Sequence, residues 1–351
     1  MRVMQIRDNV SLKDFSSMRL GGNGRHLIEI ESKDDLKSAL TWINHKQLPS
    51  IMIGGGFNII WKDEGFNGTV LVNKIKGIKT EEIDQNKIKV TLGAGEDWDN
   101  IVQKFTYEGF SGIESLSLIP GTCGASPIQN IGAYGHALSD VIESLEAYDK
   151  TTGQFVVLDR SECEFGYRSS RFKYKDKNRF LITSITVILE KRNPSSPYYE
   201  SIEKYITDNK LSGDITPTIL REIVIAIRTS TLPDPKVIAN TGSFFKNPII
   251  NKRDFDNLIL KFPEMKHWVI SPEMIKLSAG WLIDNVGYRH KYDHDRFDPG
   301  TGIATWSLQR LILVNRAAKT TSDLLKFRNE IVSKVKDKFG ILIEQEPELL
   351  P

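Results

Sequence analysis

Cysteine is nearly absent: Cys123 and Cys163 are the only two in 351 residues. They are too few for a disulfide framework and lack the paired spacing of a structural zinc site, so the chain reads as one that works in a reducing compartment. An excess of charge is missing as well. The 47 Lys and Arg against 45 Asp and Glu leave +2, without the clustered basic stripe of a nucleic-acid groove. No stretch reaches about 18 consecutive apolar residues, and residues 1–15 carry charges where a signal peptide needs its apolar run. These absences point to a cytoplasmic protein with no membrane insertion and no nucleic-acid partner. Internal repeats and low-complexity tracts are lacking too.

What is present suits a folded core. Hydrophobic residues make up 40% and charged residues 26%, an ordinary globular composition, and the length suggests two or three domains. Apolar residues alternate through 25–30, after which Ser32 caps a helical pattern in Leu36, Ala39, Leu40 and Ile43. A short apolar run at 51–53 then enters a glycine turn. Strands are expected at 68–72 and 88–92, and a helix at 98–108. Further strands are expected at 144–148, 154–158 and 180–189, so the fold class is α/β, with α+β character. The run Asn193 to Pro197 reads as a linker. Beyond it helix is expected to dominate: 272–286 has an apolar stripe, and Thr321 or Ser322 caps a helix through Leu324, Phe327, Ile331 and Val335 that Gly340 stops.

Two glycine-rich stretches carry the chemistry. Gly54, Gly55, Gly56, Phe57 and Asn58 follow a strand, where glycine lets backbone N–H groups approach an anion. The dinucleotide fingerprint fails because Ile59 stands where its last glycine belongs, and neither a Walker A nor an HExxH motif occurs. Residues 112–135 form a long stretch of small residues with no period, which inside a compact region is more often functional than accidental. Its Pro120, Gly121, Ser126, Gln129, Asn130, Gly132, Ala133 and Gly135 can lie flat against a planar ring while amides and backbone groups bond its heteroatoms. Asp293, His294, Asp295, Asp298 and Gly300 suggest a calcium loop but lack its glutamate and order. His290 and His294 are four apart in a segment that Pro299 marks as loop. No metal site is expected.

Read together, several stretches resemble one family, the FAD-dependent UDP-N-acetylenolpyruvoylglucosamine reductases. They are Ile53 to Asn58, Ile119 to Gly121, Ser126 to Gly135, Phe165 to Arg168, Leu232 to Lys236, Gly242 to Pro248 and Ala279 to Asp284. Ser-Pro-Ile-Gln-Asn-Ile-Gly-Ala-Tyr-Gly with Gly-Ser-Phe-Phe-Lys-Asn-Pro downstream is the most specific pairing. The resemblance implies two FAD-binding subdomains of the vanillyl-alcohol-oxidase type, at 1–73 and 74–196. A substrate-binding domain at 197–340 and a segment at 341–351 with a catalytic glutamate complete the expected organisation. Noncovalent FAD, NADPH as hydride donor and a nucleotide-sugar substrate are implied; protein partners are not.

By the same resemblance Ser243 is the proton donor to C2 of the enolpyruvyl group, Arg168 binds its carboxylate and stabilises the enolate, and Glu346 polarises the intermediate. Glu346 is expected just after a last strand at 341–343. Tyr167, Tyr199, Asn247 and Lys276 are implied substrate contacts, with Tyr199 in a capping tyrosine loop. Phe57 in place of serine, Thr231 in place of lysine, Glu348 in place of arginine and an end at Pro351 depart from the family pattern. These departures motivate one alternative, a weakened paralogue that binds FAD or a nucleotide sugar without turnover. Retention of Arg168, Ser243 and Glu346 together favours the enzyme.

Overall fold

A computed structural model describes residues 4–288 and 297–351. The histidines and aspartates at 290–295 therefore lie outside the described residues. The chain divides into two compact units: residues 1–10, 24–55 and 67–230 form the first, and residues 11–23, 56–66 and 231–351 the second.

The first unit contains two large sheets and a two-stranded one formed by Gly132–Ala133 and His136–Ala137. One has the strand order Ile6–Ser11, Asn23–Ile30, Phe66–Asn73, Ser50–Ile53, with the last two parallel. The helix Lys33–Lys46 packs beside it because Leu36, Ala39, Leu40 and Ile43 share one buried face, and Ser32 accepts from the Asp35 N–H at the helix start. The other sheet is antiparallel throughout, in the order Gln154–Asp159, Ile142–Asp149, Phe180–Glu190, Lys87–Gly93, Ile78–Asp84. The helix Trp98–Tyr107 buries Trp98, Ile101, Val102 and Phe105 in the core of this sheet, and Asp97 caps it. Two more helices, Glu200–Asp208 and Pro217–Thr231, belong to this unit through a cluster of Ile202, Leu220, Ile223 and Val224 that includes Tyr134. The linker at 193–197 predicts that residues 198–230 belong with the C-terminal part of the chain. By packing, residues 198–230 fall in the first compact unit, their apolar faces closing on Tyr134.

The second unit is built on two three-stranded antiparallel sheets. One has the order Ala239–Ser243, Gln309–Asn315, Ile303–Trp306, and the other Ile249–Asn251, Met274–Leu277, His267–Ser271. The helix Thr321–Phe339 buries Leu324, Phe327, Ile331, Val335 and Phe339 in a core that also takes Met18, Leu20 and Ile60 from the earlier segments. Its cap is Thr320, one residue before the expected position, which accepts from the Asp323 N–H. Asp63 adds a second cap by accepting from the backbone N–H groups of Thr321 and Ser322. Gly340 ends the helix in the left-handed conformation at φ 71°.

Two expectations are corrected. The stripe at 272–286 is not one element: Ile275 and Leu277 alternate inward along a strand, and Ser278 then caps the short helix Ala279–Ile283. Residues 341–343 are not a strand either. Ile341 and Ile343 are buried in the core, and pairing begins later, with a bridge at Gln345 and the strand Glu348–Leu350, parallel to Ile59–Trp61.

One ion pair gives the first unit a pH signature. Asp149 is buried at the end of its strand, and Arg179 grips both carboxylate oxygens at 2.9 and 2.8 Å. The guanidinium thus holds the carboxyl well below the usual carboxylate range. A depressed native pKa contributes stability that is complete above the unfolded value, about 4, and is lost as pH falls toward the native value. Asp149→Asn should therefore cost roughly 1–3 kcal/mol at pH 7, with the gap to wild type closing in denaturant titrations below about pH 4. A gap of the same size at low pH would contradict this.

Candidate functional site

The long stretch expected to be functional is an ordered loop pinned to its sheet. Cys123 and Gly124 donate backbone N–H groups to the carbonyls of Glu96 and Ala94 at 2.9 and 2.8 Å, and Trp98 N–H bonds Gly121 O at 3.0 Å. Ser126 and Asn130 are buried and their side chains are spent on bonds within the protein. Ser126 Oγ donates to Cys123 O at 2.6 Å. Asn130 joins Ser139 and Gly166 at 3.0 and 3.2 Å and accepts from the Ser139 N–H at 2.9 Å. What this loop offers a ligand is largely backbone.

The glycine turn meets this loop at Gly54. A Cβ there would fall 2.4 Å from Thr122 Oγ1 and 3.0 Å from the Ala125 methyl, so only glycine permits the approach. Thr122 Oγ1 is itself buried without a hydrogen-bond partner, a polar atom left over beside the turn. Within the second unit the rest of the turn is held by the chain around Ser17. The Ser17 N–H bonds Gly56 O at 2.9 Å and its hydroxyl bonds Phe57 O at 3.3 Å, while Glu348 N–H bonds Asn58 O at 3.0 Å.

Also in the first unit, Arg168, Tyr167, Gly132 and Tyr199 converge as predicted candidates. Arg168 donates to Gly132 O at 2.7 Å, its guanidinium lies 5.4 Å from the Tyr167 ring centre, and Tyr199 meets Tyr134 edge to face at 5.8 Å. Two residues here were not among the candidates. Arg228 is half-buried; it donates to Leu118 O at 3.3 Å, hydrogen-bonds the Tyr134 hydroxyl and feels the opposed charges of Asp99 and Arg168. Burial pulls its pKa down. Nearby, Arg221 is neutralised by Asp99 through two bonds at 2.6 and 3.0 Å. Arg221 and Arg228 are seven apart on one helix, hence on one face. Two arginines on the buried side of an otherwise apolar helix were the available signal. Two cations drawn together beside glycine backbone form a site for an anionic group.

In the second unit, Ser243 ends the strand Ala239–Ser243 and Lys276 lies in Met274–Leu277 of the other sheet, while Asn247 and Glu346 sit in the chain just outside the strands. Phe244 and Phe245 are buried in the core, which fixes the strand direction and leaves Ser243 half-buried. Backbone bonds from Glu346 N to Phe244 O and from Lys246 N to Glu344 O, both 2.9 Å, bracket the bridge between Phe245 and Gln345. This pairing sets Glu346, a buried carboxyl, opposite Phe244 and one residue from Ser243. Asn247 Oδ1 is committed to the Ala279 N–H at 2.9 Å, capping the helix that opens the Ala279 to Asp284 motif. Lys276 lies opposite Ile249 on the neighbouring strand, with its ammonium 5.3 Å from the Trp268 ring centre. Among the described residues no cluster of three or more His, Cys, Asp or Glu could hold a metal, and no helix is long and apolar enough to cross a membrane.

Comparison with known proteins adds to this geometry. Residues 25–159 match a family model described as an FAD binding domain, and residues 234–350 match one described as UDP-N-acetylenolpyruvoylglucosamine reductase, C-terminal domain. A curated relative from Shewanella baltica named UDP-N-acetylenolpyruvoylglucosamine reductase is 36% identical over 97% of this chain and 96% of its own length. One of the same name from Bdellovibrio bacteriovorus is 38% identical over 98% and 99%. The chain belongs to the UDP-N-acetylenolpyruvoylglucosamine reductase family. The crystal structure of a reductase of this name from Thermus caldophilus shares the fold, with a TM-score of 0.65 at 23% identity over 99% of this chain and 100% of that one.

In this reductase-family chain the Tyr134 hydroxyl is pushed upward by burial, against the pull of Arg228. Its phenol should therefore ionise later than an ordinary tyrosine, above about pH 10. An alkaline absorbance titration checks this: wild type and Tyr134→Phe should diverge only above that pH. A difference complete by pH 10 would remove Tyr134 from the buried cluster.

Proposed function

We propose that the chain reduces UDP-N-acetylglucosamine enolpyruvate to UDP-N-acetylmuramate with NADPH through noncovalently bound FAD, in the synthesis of peptidoglycan precursors. The observation that carries this is full-length similarity to relatives named as that reductase. The cofactor fits the residues present. At Gly54 the absence of a side chain lets the two loops close together, and Thr122 Oγ1 stands at that junction unpartnered. Gly54, Gly55, Gly56, Phe57 and Asn58, with Pro120, Gly121, Ser126, Gln129, Asn130, Gly132, Ala133 and Gly135, are the residues that would hold it. Held there, FAD would supply the hydride chemistry that links NADPH to C3 of the enolpyruvyl group.

The protein's own part is to orient the substrate, stabilise charge and deliver a proton. Arg168 holds the enolpyruvyl carboxylate with a planar fork of donors and stabilises the enolate formed as C3 gains its hydride. Arg228 reinforces the positive potential around Arg168. Ser243 gives its proton to C2, and the buried Glu346, fixed one residue away by strand pairing, polarises the same centre. Tyr167, Tyr199, Asn247 and Lys276 contact the nucleotide sugar. Residues 1–73 and 74–196 act as flavin-holding parts, 197–340 as the substrate-binding part and 341–351 as the carrier of Glu346. The cytoplasm is where this chemistry takes place. Binding without turnover has no support among the relatives above, which are named as reductases.

Ser243→Ala separates the two halves of the reaction. Reduction of the flavin by NADPH needs no proton at C2, so in stopped-flow absorbance it should proceed at close to the wild-type rate. Reoxidation by the enolpyruvyl substrate should slow by about 10²- to 10⁴-fold, the usual contribution of a positioned general acid. Wild-type rates in both phases would remove Ser243 as the proton donor.

A further inference from the structure

We infer that Asn240 is a positioning residue for Ser243, and that through Ser17 it ties the proton donor to the glycine turn. The inference rests on the reductase reading above and concerns the same site. Asn240 lies in the strand Ala239–Ser243 and is buried, at 2% exposure. Both ends of its side-chain amide are engaged. Oδ1 accepts from the Gly242 N–H at 2.8 Å, while Nδ2 donates to Ile238 O at 2.8 Å and Pro233 O at 3.3 Å. The strand pairs with Gln309–Asn315 at Asn240 and again at Ser243, and the register shifts between them. At that irregularity Gly242 takes φ 70°, a conformation open to glycine and costly for other residues. The direction in which Ser243 leaves the sheet is therefore set by a turn that the Asn240 amide closes.

The same residue reaches the glycine turn. Its backbone N–H donates to Ser17 O at 3.1 Å, and the Ser17 N–H in turn bonds Gly56 O at 2.9 Å. Arg19, two residues on, donates to Pro235 O and Lys236 O at 3.0 and 2.6 Å, so the Leu232 to Lys236 motif is gripped from Asn240 at one end and Arg19 at the other. Asn315 adds a bond to Met18 O at 3.1 Å. Ser243, the Leu-Pro-Asp-Pro-Lys loop and Gly56 thus share one network within the second unit. A general acid must meet its carbon within a few tenths of an ångström, and a misplacement of about 1 Å can cost 10²-fold.

Asn240→Ala removes all three side-chain bonds without adding charge. In Gly242→Ala a methyl group meets nothing within 4 Å, so it disturbs only the backbone of the turn and serves where the first variant fails to fold. Both are compared with wild-type holoenzyme in stopped flow, first with NADPH and then with the enolpyruvyl nucleotide sugar. The inference expects normal flavin content, reduction by NADPH within about twofold of wild type, and reoxidation slower by about 10- to 100-fold. In steady state kcat should fall while the KM for the nucleotide sugar is nearly unchanged. Both phases at wild-type rates in a folded variant overturn it, as do both phases slowed alike, which a merely structural role would give. Wild-type flavin that NADPH bleaches and the substrate cannot restore refutes the reductase reading itself, and this inference with it.

Discussion

Ser17 spends its two backbone hydrogen bonds on different parts of the second unit, its N–H on Gly56 and its carbonyl on Asn240, and the arrangement of that unit depends on this. Residues 11–23 and 56–66 lie far in sequence from 231–351 yet pack into one core with them, Met18, Leu20 and Ile60 beside Phe244, Phe245 and Phe327. A network of main-chain bonds cannot be retuned by exchanging side chains, so it fixes register more firmly than packing alone. The strand Glu348–Leu350 completes it: Glu348 N–H bonds Asn58 O, and Lys62 N–H bonds Leu350 O at 3.0 Å. Glu346 and the glycine turn are held by the two ends of one short segment.

The first unit solves a different problem, that of keeping positive charge out of water. Arg221 is balanced by Asp99. Arg228, one face-repeat along the same helix, instead meets a carbonyl, a phenol and the field of a second arginine. Arg228 thus loses part of its hydration and shares Asp99 with Arg221 as its source of negative charge. The proposed reaction would bring a further negative charge to this cluster, a carboxylate that becomes an enolate as the hydride arrives.

Much of this was legible in the sequence because the signals were local. The Ser32 cap, the face of Leu324, Phe327, Ile331 and Val335, and the stop at Gly340 follow from spacing and residue type. The proposed flavin loops and the proposed role of Ser243 rest on motifs that keep their order along the chain. The pairing of residues 59–61 with 348–350 was not legible, since three-residue strands leave no periodic pattern and parallel pairing across so long a separation has no turn to announce it. The same pairing shifted the expected last strand from 341–343, where Ile341 and Ile343 alternate inward as a strand would, to residues nearer Pro351. Asn240 was invisible for another reason: its importance lies in three bonds to main-chain atoms, and an asparagine near Gly242 reads as an ordinary turn residue.

In the proposed reaction C3 would receive a hydride by way of bound flavin and C2 a proton from an exchangeable side chain. The substrate carries no hydrogen at C2, so the origin of the one found there in the product reports directly on this polarity. Turnover with NADPH in deuterium oxide, followed by NMR of the isolated nucleotide sugar, makes the measurement. The account predicts deuterium at C2 of the lactyl group in essentially every product molecule, because the Ser243 hydroxyl and the Glu346 carboxyl both exchange with solvent. Protium at C2 would mean that the hydride is delivered there, and would contradict the roles given to Ser243, Glu346 and Arg168 together.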